Sequence, residues 1–107
     1  MEGQMEKKTS NSLLRVWQPR WVSLASTGLS YWKVKDGKRD GEKKTMALGE
    51  VRQCVAVGAC EMEVTWGGRT LQFKASSSKK RDDWVAAVLT AVRVGHKNKI
   101  LAISRLN

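Results

Sequence analysis

The chain holds one histidine, one proline, one phenylalanine and one tyrosine among its 107 residues, and only two cysteines. Each scarcity removes a class of chemistry. The lone His96 sits in a polar stretch and reads as a solvated side chain, because catalysis or metal binding needs partners nearby. Cys54 and Cys60 make no disulfide framework. Neither has a second sulfur or imidazole at zinc-ligand spacing, so both read as reduced residues in or near the core. No apolar run approaches the roughly 20 residues that span a bilayer. The opening MEGQMEKKTS lacks the apolar centre of a signal peptide, which makes cytoplasmic the expected location. A Gly-rich phosphate loop, a nucleophile–His pair and a metal-ligand cluster are all missing from the sequence, so neither an enzyme nor a cofactor is expected.

Acidic residues are scarce as well, 10 against 20 lysines and arginines, for a net charge of +10 and a pI near 10.1. Such an excess favours an anionic partner: a phospholipid surface, a nucleic acid or an acidic protein patch. The length fits one domain with a real core, and a hydrophobic content of 41% is ordinary for a globular chain.

What is present is organised around residues 17–33, WQPRWVSLASTGLSYWK. Side chains alternate, so Gln18, Arg20, Val22 and Leu24 share one face of a strand, with Trp21 and Ser23 on the other. Ser26-Thr27-Gly28 supplies a turn. Leu29, Tyr31 and Lys33 then form the next inward row, opposite Ser30, Trp32 and Val34. The buried aliphatic row of this hairpin ends in a cation, Arg20, and a phenol, Tyr31.

Residues 2–9 are expected to pair with the hairpin as a neighbouring strand. That places Lys7 and Lys8 opposite the Arg20 region. Residues 35–44, KDGKRDGEKK, carry two Asp/Gly turn signals and dense charge and read as a solvated loop. Lys33, Lys35, Lys38, Arg39, Lys43 and Lys44 make that flank basic, diluted by Asp36, Asp40 and Glu42. Residues 45–57 suit two short strands broken near Gly49. In EMEVT (61–65) Met62 and Val64 point inward, Gly67-Gly68 suits a two-residue hairpin turn, and the return strand 69–75 turns Leu71 and Phe73 inward.

The period then changes. Ser76 to Ser78 offer N-cap hydroxyls, Asp82 and Asp83 complement the helix dipole, and apolar residues at 84, 85, 88, 89 and 92 mark one helical face. Gly95 is the expected stop. Residues 95–107 form a basic and apolar tail or linker. Six or seven short antiparallel strands followed by one helix imply a mainly β, α+β architecture, a strongly bent sheet or small barrel with the helix burying Trp84.

The segments WQPRWVSL at 17–24, LSYWK at 29–33 and the 76–84 stretch with its single helical tryptophan resemble the pleckstrin homology (PH) domain, over residues 2–94. The resemblance implies a seven-stranded bent barrel capped by a C-terminal helix. It also implies an open end, formed by the loops after strands one, three and six, where relatives that bind phosphoinositides hold the headgroup. Arg20 looks like the family's second-strand arginine, Tyr31 like its third-strand tyrosine, and Lys7 or Lys8 like its first-strand lysine. Lys33 and Lys43 are expected at the rim. Two residues before Arg20, however, stands Gln18 where the family pattern has a base. Leu13, Leu14 and Arg15 are candidates for contact with the lipid interface, and Trp17 for packing.

The resemblance therefore implies a non-catalytic, peripherally membrane-associated module that binds phosphoinositides or other anionic phospholipid. The alternative is a protein-interaction adaptor on the same scaffold, to which Gln18 and the tail lend weight. Nucleic acid fits the charge but not the aromatics, which do not interleave with basic residues as in RNA-binding strand motifs. A monomeric domain of a larger protein is expected.

Overall fold

The computed structural model describes the backbone of residues 1–9 and 16–105, and their side chains as far as His96. Leu13, Leu14 and Arg15 lie outside the described residues. Seven strands form one antiparallel sheet: β1 (Glu2–Lys8), β2 (Trp17–Ala25), β3 (Gly28–Lys35), β4 (Lys38–Met46), β5 (Val51–Val57), β6 (Glu61–Trp66) and β7 (Arg69–Lys74). A 3-10 turn, Leu48–Glu50, joins β4 to β5, and helix α1 (Ser78–Arg105) closes the chain. The order across the sheet is β4-β3-β2-β1-β7-β6-β5. The junction in its middle is short, with Glu6 opposite Lys74 and Lys7 opposite Phe73.

The central hairpin has the register its alternation dictates. Val22 lies opposite Tyr31, Leu24 opposite Leu29 and Arg20 opposite Lys33. The inward rows meet in a core that includes Val22, Leu29, Val64 and Phe73, all shut off from solvent. Burying a side chain such as Phe73 contributes about 1.5–3 kcal/mol. Tyr31 meets its ring edge-on, 6.0 Å between centroids and 72° between planes. Cys54 belongs to this core, and burial pushes its thiol pKa up to about 11. Cys60 is half-buried and also free.

Residues 35–44 are not a loop. Asp36 and Gly37, at φ 53° and 74°, make a two-residue turn, and β4 then pairs back along β3 from Lys35↔Lys38 to Leu29↔Met46. Every side chain from Lys38 to Thr45 is exposed. As an edge strand β4 needs no apolar face, and its charges protect the free edge from further pairing. That composition is what disguised it. Thr45 and Met46 complete β4 rather than starting a strand of their own, and the expected break near Gly49 is the 3-10 turn.

The helix begins as expected, with the Lys80 N–H donating to Ser77 Oγ at 3.1 Å. Arg81 anchors it: Nη1 donates to the carbonyls of Val57, Gly58 and Glu61 at 3.1, 3.3 and 2.8 Å, while Nε donates to Asp82 Oδ1 at 2.6 Å. Trp84 and Val88 are buried, Val85 and Val92 pack beside them, and Leu89 is exposed. Gly95 does not end the helix, which continues to Arg105. A Cβ at Gly95 would stand 2.9 Å from Leu48 Cβ. The glycine is there for close approach of α1 to the 3-10 turn, not for a left-handed cap.

Candidate functional site: a basic cleft at the open end

On each of five strands the inward-facing row turns from apolar to charged toward the same end of the sheet. Two residues from buried Met5 stands Lys7 on β1, and two from Val22 stands Arg20 on β2. On β3 Tyr31 is followed by Lys33. Lys44 precedes Met46 on β4, and Arg69 precedes Leu71 on β7. The period of two that builds the core therefore also aims these cations, because residues i and i+2 of a strand share a face. Together with Thr9, Gly41 and Glu42 they line a cleft of about 460 Å³.

Lys7 is the deepest of the cations, 8% exposed, with Nζ 5.6 Å from the centroid of the Tyr31 ring. Burial lowers its pKa, and the nearby charges of Arg20, Lys44 and Arg69 lower it further. The second cause, repulsion from three neighbouring cations, marks the site as over-supplied with positive charge. Burial raises the Tyr31 pKa, opposed by Arg69 and Arg20, so at neutral pH its hydroxyl carries a proton to donate. Arg20 is held by its own strand: Nη1 donates to the Pro19 carbonyl at 2.8 Å and Nη2 to Gln18 Oε1 at 3.1 Å. Gln18 thus serves as an acceptor that fixes the guanidinium, where a base would repel it. Glu42 is the one carboxylate among the lining residues.

Of the residues singled out by sequence, Lys7, Arg20, Tyr31 and Lys33 come together in the cleft. Lys8 and Lys43 are not among its lining residues. Lys8 lies one step out of phase with Lys7 on the other face of β1, its Nζ 5.7 Å from the Trp17 ring centroid. Lys74 covers the same ring at 4.7 Å, so Trp17 packs on the outer surface between two cations. Lys43 is out of phase with Lys44 in the same way. Lys44 and Arg69 were not singled out, although Arg69 was legible. Leu71 and Phe73 point inward, and stepping back by two gives Arg69.

Seven antiparallel strands in one sheet, followed by a C-terminal helix, thus carry a basic cleft at one end and a mainly aliphatic core. The chain belongs to the PH domain family, whose model matches residues 1–93. Among curated proteins it is 28% identical over 106 residues to human Arf-GAP with coiled-coil, ANK repeat and PH domain-containing protein 2. That alignment takes in 92% of this chain but 13% of the relative. The chain thus spans about an eighth of the length of that relative. The fold is that of the N-terminal PH domain of human ARAP2, with a TM-score of 0.72 at 22% identity over 88% of this chain and 79% of that one. It is equally that of the Slm1 PH domain solved with inositol-4-phosphate, with a TM-score of 0.70 at 17% identity over 86% and 94%. A PH domain is a non-catalytic module, one that commonly targets membranes or mediates protein interaction. Among the described residues no helix is long and apolar enough to cross a membrane.

Proposed function

We propose that this PH domain is a peripheral membrane-targeting module that receives a phosphoinositide headgroup, or a less specific anionic phospholipid, in the basic cleft. The observation that carries the reading is the convergence of Lys7, Arg20, Lys33, Lys44 and Arg69 around Tyr31. The cleft's volume lies within the range of small-ligand pockets, roughly 300–1,000 Å³. Arg20 and Arg69 offer planar, bidentate geometry to phosphate oxygens, the three lysines act as point charges, and Tyr31 donates a hydrogen bond. Lys8 and Lys43 lie outside the cleft and act through the field at the bilayer, at roughly 1 kcal/mol per cation near an anionic leaflet. Leu13, Leu14 and Arg15 are proposed as the segment that meets the lipid interface. Residues 2–94 make the module, and residues 95–107 a tail or linker. The complex of the Slm1 PH domain with inositol-4-phosphate supports this reading as a precedent on the same fold.

A protein-interaction adaptor is the second reading. Two observations favour it: Gln18 is neutral where a further cation would grip phosphate, and Glu42 opposes an anion inside the cleft.

Sedimentation with liposomes of matched net charge, with and without each phosphoinositide, separates the two. A preference for one phosphoinositide that Arg20→Ala abolishes is the expected result. Binding that follows charge alone and fades with salt reduces the function to diffuse membrane attraction. No binding at physiological salt removes the lipid reading in favour of the adaptor.

A further inference from the structure

Behind the wall of the basic cleft lies a second cavity of about 200 Å³, bounded by Tyr31, Lys44, Thr45, Met46, Trp66, Arg69 and Leu71. It occupies the seam where the free edge of β4 faces the β6–β7 turn, strands that do not pair with one another. Tyr31, Lys44 and Arg69 line both cavities. The other walls differ in kind. Met46 and Leu71 are buried core residues, and Trp66 packs against the same core. The Trp66 indole Nε1 is sealed from solvent and has no acceptor among the described residues. A buried donor in that condition is costly, and almost all such groups in proteins find a partner.

We propose that this seam pocket is a second ligand site, for an anion carrying a compact apolar group. The anion's charge rests on Lys44 and Arg69, and its body lies against Met46, Leu71 and the Trp66 ring. About 150 Å³ is room enough for a benzene ring, so the seam pocket has the volume for a ring-sized group with its carboxylate at the cationic wall. A headgroup of several phosphates fits the polar cleft and not this pocket, because its charges would face Met46 and Leu71. The apolar anion is disfavoured in the cleft for the converse reason. Sharing Lys44 and Arg69 also couples the two sites. Two anions drawing on the same cations repel each other, so filling one site weakens the other, and by linkage the effect is reciprocal. The seam site rests on its own lining and holds whether or not the cleft takes an inositol phosphate.

The test is a titration of the ¹⁵N-labelled domain with benzoate, followed by NMR, the Trp66 indole signal being assigned with Trp66→Phe. Saturable shifts are expected at the Trp66 indole and at amides 44–46 and 69–71, with the Trp17, Trp21 and Trp32 indoles unmoved. Benzyl alcohol, which lacks the charge, and acetate, which lacks the ring, are expected to bind at least about fivefold more weakly. Arg69→Gln weakens benzoate by about fivefold, the worth of one exposed charge pair, and Lys44→Gln serves if that variant is unfolded. Arg20→Gln, which lines the cleft and not the seam, is expected to weaken benzoate less than Arg69→Gln does. Inositol 1,4,5-trisphosphate, if it fills the cleft, raises the apparent benzoate Kd. The proposal is overturned if benzoate shifts centre on Lys7 and Arg20, if benzyl alcohol binds as well as benzoate, or if no saturable shift occurs.

Discussion

Gln18 and Arg20 stand on the same face of β2, and the side-chain oxygen of one accepts a hydrogen bond from the guanidinium of the other at 3.1 Å. Lys7 lies directly across the strand pair from Gln18. The neutral amide therefore sits between two cations that would otherwise repel a third.

Replacing that amide by a base, Gln18→Lys, is expected to trade stability for affinity. One more cation at the cleft strengthens binding to an inositol polyphosphate by about fivefold, the worth of roughly 1 kcal/mol. The midpoint of thermal unfolding falls by a few degrees at low salt and recovers as salt screens the cluster. Calorimetric titration and melting at two salt concentrations read both effects. Weaker anion binding in the variant would mean that Gln18 positions Arg20 in a way charge cannot replace.

Lys7→Met is expected to do the reverse. Lys7 is a nearly buried cation held below its ordinary pKa first by burial and then by Arg20, Lys44 and Arg69. Its charge costs stability at neutral pH, and the cost shrinks as pH rises through its lowered folded pKa toward 10.5. Methionine removes the charge and keeps the length. Urea unfolding at pH 7 is expected to show a gain on the order of 1 kcal/mol, while anion binding drops several-fold. A loss of stability would sink the view that this cation is strained for binding.

Cys54 carries an alkaline limit. Its thiol has a folded pKa of about 11 against an ordinary 9.0. Between those values the unfolded chain releases its proton first, so stability present below pH 9 is lost as pH climbs toward 11. The loss is on the order of 2–3 kcal/mol when complete. Cys54→Ala is less stable at pH 7 but is expected to show a flatter profile from pH 8 to 10.5. Parallel profiles would refute the assignment.

At Gly95 two opposing terms meet. Alanine gains about 1 kcal/mol of helix propensity over glycine, while a Cβ here is set 2.9 Å from Leu48 Cβ. Gly95→Ala is expected to be nearly neutral and Gly95→Val to cost about 1–3 kcal/mol. Removing the facing Cβ should restore part of the loss, so Leu48→Gly is expected to cost less in the Gly95→Val background than in wild type. Additive costs, measured by chemical unfolding, would show that the two positions do not press on each other.

Much of this was legible in the residues. The alternation through 18–24 and 29–33, the Gly67-Gly68 turn and the helical period from Trp84 each specify an element by burying one face. The parts that were misread are those in which burial does not operate. β4 is exposed from Lys38 to Thr45 and is held by backbone pairing to β3, which leaves no apolar alternation to detect. Gly95 resembled a stop because a glycine late in a helix usually is one, and what keeps it there is a contact with Leu48, 47 positions earlier in the chain. Lys44 was read only as part of the solvated basic flank for the first reason, since a residue assigned to a loop has no facing direction. Arg69 had one, and the row that contains Leu71 and Phe73 only needed to be extended.

That row has a further consequence. In five strands the cation of the cleft and the side chain beneath it are two residues apart on one line, so neither can be turned outward without the other. A strand that slips by a single residue shows its charge to the wrong face and its apolar side chain to water in the same movement. In the proposed anion-binding role, misfolded copies of this domain would therefore be blind to their ligand as well as sticky. The capacity to dock is in effect a certificate of correct strand alignment, issued by the geometry that makes the core.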